Sequence, residues 1–290
     1  MDKKVVLELA IAASPHQVYR ALTDPLALTQ WFAEHADISL PEQRYAFWGR
    51  FTPGTPGRQA GDHQLLLAET DRRLQYRWHF RGQDTLVDFE LHAQGAATGL
   101  RLTHTGLSAP QPGQFSVADF WDLSLENLRG WLEKQTISPR CDFSDIKQGE
   151  IELHVDVEAD PAAVFAALIS TGQLKRYMGE NPTVEPQVGG RYDFGWEGGG
   201  PVKIVELVPD KKLAYTWEYP PEPATLVTWT LEGSGGKTQL TIVHSGFTAD
   251  RSGADYQVGW LHYLARIKFM VETGPGWQKA HIPVGDYELV

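Results

Sequence analysis

The chain repeats itself, and no other feature limits its fold as much. The stretch from about Val5 to Gln135 lays over the stretch from Ile151 to Thr273 by pattern and by landmark. Ala13-Ser14-Pro15-His16-Gln17-Val18-Tyr19 faces Ala159-Asp160-Pro161-Ala162-Ala163-Val164-Phe165, and Arg44-Tyr45-Ala46-Phe47 faces Arg191-Tyr192-Asp193-Phe194. Leu74-Gln75-Tyr76-Arg77-Trp78 faces Leu213-Ala214-Tyr215-Thr216-Trp217, Thr103-His104-Thr105-Gly106 faces Val243-His244-Ser245-Gly246, and Trp121 faces Trp260. The offset narrows slowly along the chain, as a few short loop insertions would make it do. The 290 residues are therefore read as one domain's fold used twice. The first copy is expected over residues 1–135 and the second over 150–274. Between them a polar linker, 136–149, carries Pro139 and Gly149, and a tail, 275–290, is left without a role.

Each copy opens on a strict two-residue alternation, Val5, Leu7, Leu9 and Ile11 or Ile151, Leu153, Val155 and Val157, which is a strand with one buried face. A helix follows at once. Ser14 or Asp160 stands where a side chain caps free N–H groups, Pro15 or Pro161 fills the first helical position, and Gln17 completes a capping box in the first copy. A second short helix is read over Pro25 to Phe32 and over Gly172 to Met178. Strands with inward rows come next: Leu74, Tyr76, Trp78 and Phe80; Val87, Phe89 and Leu91; Leu100, Leu102 and His104. The second copy repeats them with Leu213, Tyr215, Trp217 and Tyr219; Val227, Trp229 and Leu231; Leu240, Ile242 and His244.

A longer helix closes each copy. Its apolar residues recur at three and four, as Val117, Trp121, Leu125, Leu128 and Leu132, or as Trp260, Leu264, Ile267 and Val271. Ser116 with Asp119, and Ser252 with Asp255, mark the starts. The fold class is α+β: in each copy a curved antiparallel sheet wraps a long C-terminal helix, with two short helices after the first strand.

Composition excludes several partners. A net charge of −11 argues against a phosphate backbone, so no nucleic acid is expected. The single cysteine, Cys141, rules out an intramolecular disulfide and fits a reducing compartment. The start of the chain has no apolar signal-like core, and no apolar run approaches the roughly 18 residues of a membrane span, so a cytoplasmic location is expected. The ten histidines show no paired metal spacing, and no metal or cofactor is expected.

The segment from Ala13 to Phe32, with its capped helix, its Thr23-Asp24-Pro25 turn and its Trp31-Phe32 pair, resembles the opening of the START-related SRPBCC superfamily, and within it the activator-of-heat-shock-protein-ATPase-like family. The second copy has Tyr177-Met178 in place of the Trp-Phe pair. Its Val188-Gly189-Gly190-Arg191-Tyr192-Asp193-Phe194 is similar to the family's glycine-then-aromatic strand. The resemblance implies a helix-grip fold with a cavity between sheet and C-terminal helix that takes up apolar molecules. It also implies, as an alternative, a co-chaperone or stress-response role with a heat-shock chaperone as partner. The eukaryotic activator pairs one such domain with a different N-terminal domain, whereas both halves here resemble the C-terminal type.

Candidate site residues follow from the inward rows. Trp31, Phe47, Trp78, Phe89 and Trp121 in the first copy, and Tyr177, Phe194, Trp196, Trp217, Trp229 and Trp260 in the second, are placed to line a cavity or to fill a core. His104 and His244 end an inward row in both copies. Each is either a polar anchor or proton-transfer group at the cavity, as in a cyclase- or hydrolase-like enzyme, or a buried histidine that fixes the following loop. Trp196-Glu197-Gly198-Gly199-Gly200-Pro201 lacks the Lys-Ser or Lys-Thr of a phosphate loop and is read as a turn. Cys141 beside Asp142 is set aside as a nucleophile, because acidic neighbours raise a thiol pKa. The primary expectation is a binding module for a small apolar or aromatic molecule.

Overall fold

The computed structural model of the chain describes residues 3–109, 111, 113–179, 181–248 and 253–282. It divides into two compact units: residues up to Ile146 together with the segment from Ala280, and Lys147–Lys279.

In the first unit β1 (Lys3–Ile11) keeps the alternation of its sequence, with Val5, Leu7, Leu9 and Ile11 buried. Helix α1 (Pro15–Thr23) starts on a complete capping box: the Gln17 N–H donates to Ser14 Oγ at 3.3 Å, and the Ser14 N–H donates to Gln17 Oε1 at 2.9 Å. Asp24 caps α2 (Pro25–Trp31) by accepting the Ala27 N–H at 3.0 Å. Strands β2 (His35–Ser39), β3 (Arg44–Trp48), β4 (Asp62–Glu69), β5 (Arg73–Phe80), β6 (Gln83–Gln94) and β7 (Ala97–Leu107) lead to the long α3 (Val117–Lys134), which Ser116 caps at the Asp119 N–H. All seven strands form one antiparallel sheet in the order β1-β7-β6-β5-β4-β3-β2. Helix α3 lays Trp121, Leu125 and Leu128 into the core on the sheet's inner face.

The second unit runs β8 (Ile151–Val157), α4 (Pro161–Ile169), α5 (Thr171–Tyr177), β9 (Thr183–Val184), β10 (Tyr192–Asp193), β11 (Gly200–Val208), β12 (Lys212–Glu218), β13 (Thr225–Ser234), β14 (Lys237–Ser245) and α6 (Ala254–Thr273). Five strands pair antiparallel in the order β11-β12-β13-β14-β8, while β9 and β10 form a separate two-stranded ribbon. Both units are thus helix-grip domains, α+β, with a sheet curled onto its last helix.

The repeat extends to the side-chain ties. Thr98 and Thr238 donate to the Ala13 and Ala159 carbonyls, each at 2.7 Å. Glu133 and Glu272, near the ends of the long helices, accept the Ala12 and Glu158 N–H groups at 2.7 and 2.9 Å. Each tie closes the turn between first strand and first helix, so the turn's free backbone groups are satisfied in the same way twice.

Three stretches differ from the sequence reading. Asp160 stands where Ser14 does but does not cap α4; its carboxylate accepts the Gly236 N–H at 2.8 Å instead. Ser14→Ala is therefore expected to cost about 1 kcal/mol in a urea titration, with no comparable loss of helix capping from Asp160→Ala. Residues 136–146, read as linker, belong to the first unit. Asn127 accepts the Ser138 N–H at 2.8 Å, and Arg140 donates to the Thr29 and Ala33 carbonyls behind α2. The tail is divided: Trp277 is buried in the second unit, whereas His281 pairs antiparallel with Glu8 on β1, the Glu8 N–H donating to its carbonyl at 2.8 Å and its N–H to the Glu8 carbonyl at 2.7 Å. Ser252, read as a helix start, and the tail beyond residue 282 lie outside the described residues.

Candidate functional site

The two histidines singled out by the repeat sit at the centre of matching hydrogen-bond chains. His104 on β7 has no exposed surface. The Trp121 indole N–H, from α3, donates to its Nδ1 at 2.9 Å, and its Nε2 lies 2.8 Å from Thr85 Oγ1, on β6. An indole nitrogen only donates, so Nδ1 carries the lone pair and the proton is on Nε2. That proton goes to Thr85, whose hydroxyl donates to the Trp78 carbonyl at 2.8 Å. In the second unit Trp260 donates to His244 Nδ1 at 3.1 Å, His244 Nε2 meets Thr225 Oγ1 at 2.8 Å, and Thr225 donates to the Trp217 carbonyl at 3.4 Å. Each chain ties the long helix to three strands of the sheet.

Burial pushes the His104 pKa down to about 3, with the positive charge of Arg81 adding to it. With both ring nitrogens engaged in each unit, neither imidazole offers a free lone pair to a substrate proton. Thr85 and Thr225 are missed by the sequence reading, although the triplets Thr85-Leu86-Val87 and Thr225-Leu226-Val227 repeat identically and carried the signal.

Around His104 the candidate aromatics pack ring against ring. Trp78 lies 5.2 Å from Phe47 and 6.0 Å from Trp121, and Phe89 is 5.8 Å from Trp121. Phe32 stacks on Trp121 at 5.7 Å with only 6° between the planes. Trp31 packs against Phe32 at 5.1 Å, its N–H donating to the Ala21 carbonyl at 3.1 Å. Tyr177 takes the same place in the second unit: its hydroxyl donates to the Ala167 carbonyl at 3.1 Å, so the change from Trp to Tyr keeps the tie.

Trp217, Trp229 and Trp260 form the matching wall, at 5.2 and 5.9 Å between neighbours. Phe194 closes it against Trp217 at 6.2 Å. Trp196 departs from the group. It is 38% exposed, stacks on Tyr263 at 6.1 Å, and edges a groove of about 660 Å³ shared with Arg191, Gly199, Lys203 and Pro220. The glycines after it form a bend leading into β11.

Two features of the interior were not legible in the sequence. The indole N–H groups of Trp78 and Trp217, at equivalent places in the two units, are buried with no hydrogen-bond partner. His63 on β4 is also buried, and its Nε2 has no partner either. Elsewhere, Cys141 is buried and its thiol is pushed up to about 12 by burial and by Asp142. Among the described residues no group of three or more His, Cys, Asp or Glu side chains is placed to hold a metal, and no helix is long and apolar enough to cross a membrane.

Fold and interior together define a tandem helix-grip protein of the SRPBCC class. The model of the family described as "Activator of Hsp90 ATPase homolog 1-like protein" matches residues 12–133 and again 158–272, and the chain belongs to that family. No curated protein matches the chain. Among solved structures, the chain is similar to the Aha1 dimer from Colwellia psychrerythraea (24% identity, TM-score 0.40, covering 44% of this chain and 98% of that one). It is similar to an HSP90 activator from Plasmodium falciparum (19%, TM-score 0.38, 42% and 96%). It is similar also to DynU16 of the dynemicin biosynthetic locus (18%, TM-score 0.37, 94% and 96%).

Proposed function

We propose that the protein binds a small apolar or aromatic molecule between the sheet and the long helix of one or both units. The observation that carries this is the recurrence of the same orphaned donor. Trp78 and Trp217 each place a buried indole N–H without an acceptor against a wall of aromatic rings. Leaving such a group unpaired costs about 1–3 kcal/mol, and a bound molecule with one acceptor atom would recover it. The rings supply the remaining affinity by burial of apolar area. Proton transfer by His104 or His244 is not part of this reading, because both imidazoles are already committed to the core.

The test is a fluorescence titration of the full chain with N-phenyl-1-naphthylamine, alongside native mass spectrometry of the freshly purified protein. Saturable enhancement, or a co-purified apolar compound, is the expected result. A signal that never saturates, together with a clean apo mass, would overturn the reading.

A second reading, a partner role toward an Hsp90-type chaperone, is favoured by the family's name and by the exposed apolar residues Val202, Val205, Tyr219 and Leu226 on the second unit. Acceleration of a purified Hsp90 ATPase by the full chain would support it, and an unchanged rate would remove it.

A further inference from the structure

Resting on the binding reading above, we propose that the first unit, and not the second, carries an anchor for one hydroxyl group of an apolar ligand, held between the Trp78 indole N–H and His63 Nε2. The two residues stand opposite each other on neighbouring antiparallel strands. Gln64 of β4 is in register with Arg77 of β5, and His63 and Trp78 come one step further on. Their rings lie 5.7 Å apart at 64°, on the sheet's inner side with Phe47 and Tyr76. His63 is 4% exposed and Trp78 is fully buried. Trp78 Nε1 and His63 Nε2 both have no partner.

The chemistry of the missing group follows from what each atom requires. Burial holds His63 neutral, with its pKa down at about 3. A neutral imidazole has one N–H and one lone pair, so Nε2 takes either role according to the tautomer, whereas the Trp78 indole nitrogen only donates. A hydroxyl oxygen accepts from the indole and either gives its proton to the imidazole or accepts the imidazole's, so a single atom group satisfies both in either tautomer.

A ketone can meet His63 in only one of its two tautomers, and an ammonium would leave Trp78 unpaired. A carboxylate would leave its charge buried among aromatic rings. In the second unit Pro201 is the residue in register with Trp217, so the neighbouring strand brings no side-chain partner to this place. The two copies therefore differ in the ligand chemistry they admit: an alcohol or phenol in the first, and no hydroxyl anchor in the second.

Two sources of hydroxyl fit, a ligand and a lone internal water, and the test separates them. The full chain labelled with ¹⁵N-tryptophan is titrated with 1-naphthol and, separately, with naphthalene. The expected result is binding about ten-fold tighter for 1-naphthol, a difference of about 1.4 kcal/mol. The Trp78 indole cross-peak should move downfield with 1-naphthol only. His63→Phe should abolish the preference for 1-naphthol over naphthalene. Trp78→Phe, which keeps an aromatic ring and removes the N–H, gives the same readout should His63→Phe not fold.

Equal affinities with an unmoved Trp78 signal would overturn the anchor while the apolar-binding reading stands. No binding of either probe would overturn both. Cross-relaxation between water and the Trp78 indole proton that persists at saturating 1-naphthol would assign the pair to a structural water and overturn the ligand anchor.

Discussion

Replacing His104 by phenylalanine is expected to destabilise the first unit by about 3 kcal/mol, read as a lower urea midpoint. The ring volume is nearly kept, so the loss comes from polarity. The Trp121 N–H loses its acceptor and Thr85 loses its incoming proton, both in a region without water-exposed surface. The double variant His104→Phe with Trp121→Phe removes donor and acceptor together. It is expected to be less destabilised than the sum of the single changes, since a matched apolar pair leaves no orphan. Strict additivity would show that the hydrogen bond between them contributes nothing. His244→Phe should reproduce the loss in the second unit.

Acid is the second large lever. His63 and His104 are held at about 3 in the folded chain, against an ordinary value of 6.5. The unfolded chain therefore binds more protons throughout that interval. The stability these two groups represent is complete above about pH 6.5 and declines as pH falls toward 3. At about 1.4 kcal/mol per pH unit, each removes roughly 2 kcal/mol by pH 5, and the pair roughly 4 kcal/mol. Urea titrations at pH 7.5 and pH 5.0 would show the drop, and His63→Phe should halve the part due to these two residues. An unchanged midpoint between the two pH values would contradict the neutral, buried state of both rings.

Much of the architecture was legible because the duplication supplied its own control. A two-residue alternation that occurs once is ambiguous, but Val5 to Ile11 and Ile151 to Val157 occupy the same place in two copies, and both form the first strand. His104 and His244 stood out for the same reason. What the pattern did not contain was direction. Asp160 has the chemistry of a cap and spends it on Gly236, because side-chain targets depend on which loop comes close in space.

Glycines and prolines from Pro182 to Gly190 shorten β9 and β10 to two residues each, so they form a ribbon where β2 and β3 extend the sheet. His63 was invisible for the opposite reason. It has no counterpart in the second copy, so the comparison that exposed His104 passed over it, and its significance lies in an unpartnered ring nitrogen rather than in any motif.

The pairing of Glu8 with His281 concerns the order in which the protein is made. Strand β1 is the outermost of its sheet, and the backbone groups of Glu8 on its open side are answered only by His281. A ribosome reaches that residue after the whole of Lys147–Lys279 has been synthesised. Throughout that interval the nascent first unit presents this stretch of bare strand edge, the kind of surface on which chains of the same polysome pair with one another. The unit that emerges first is thus the one completed last.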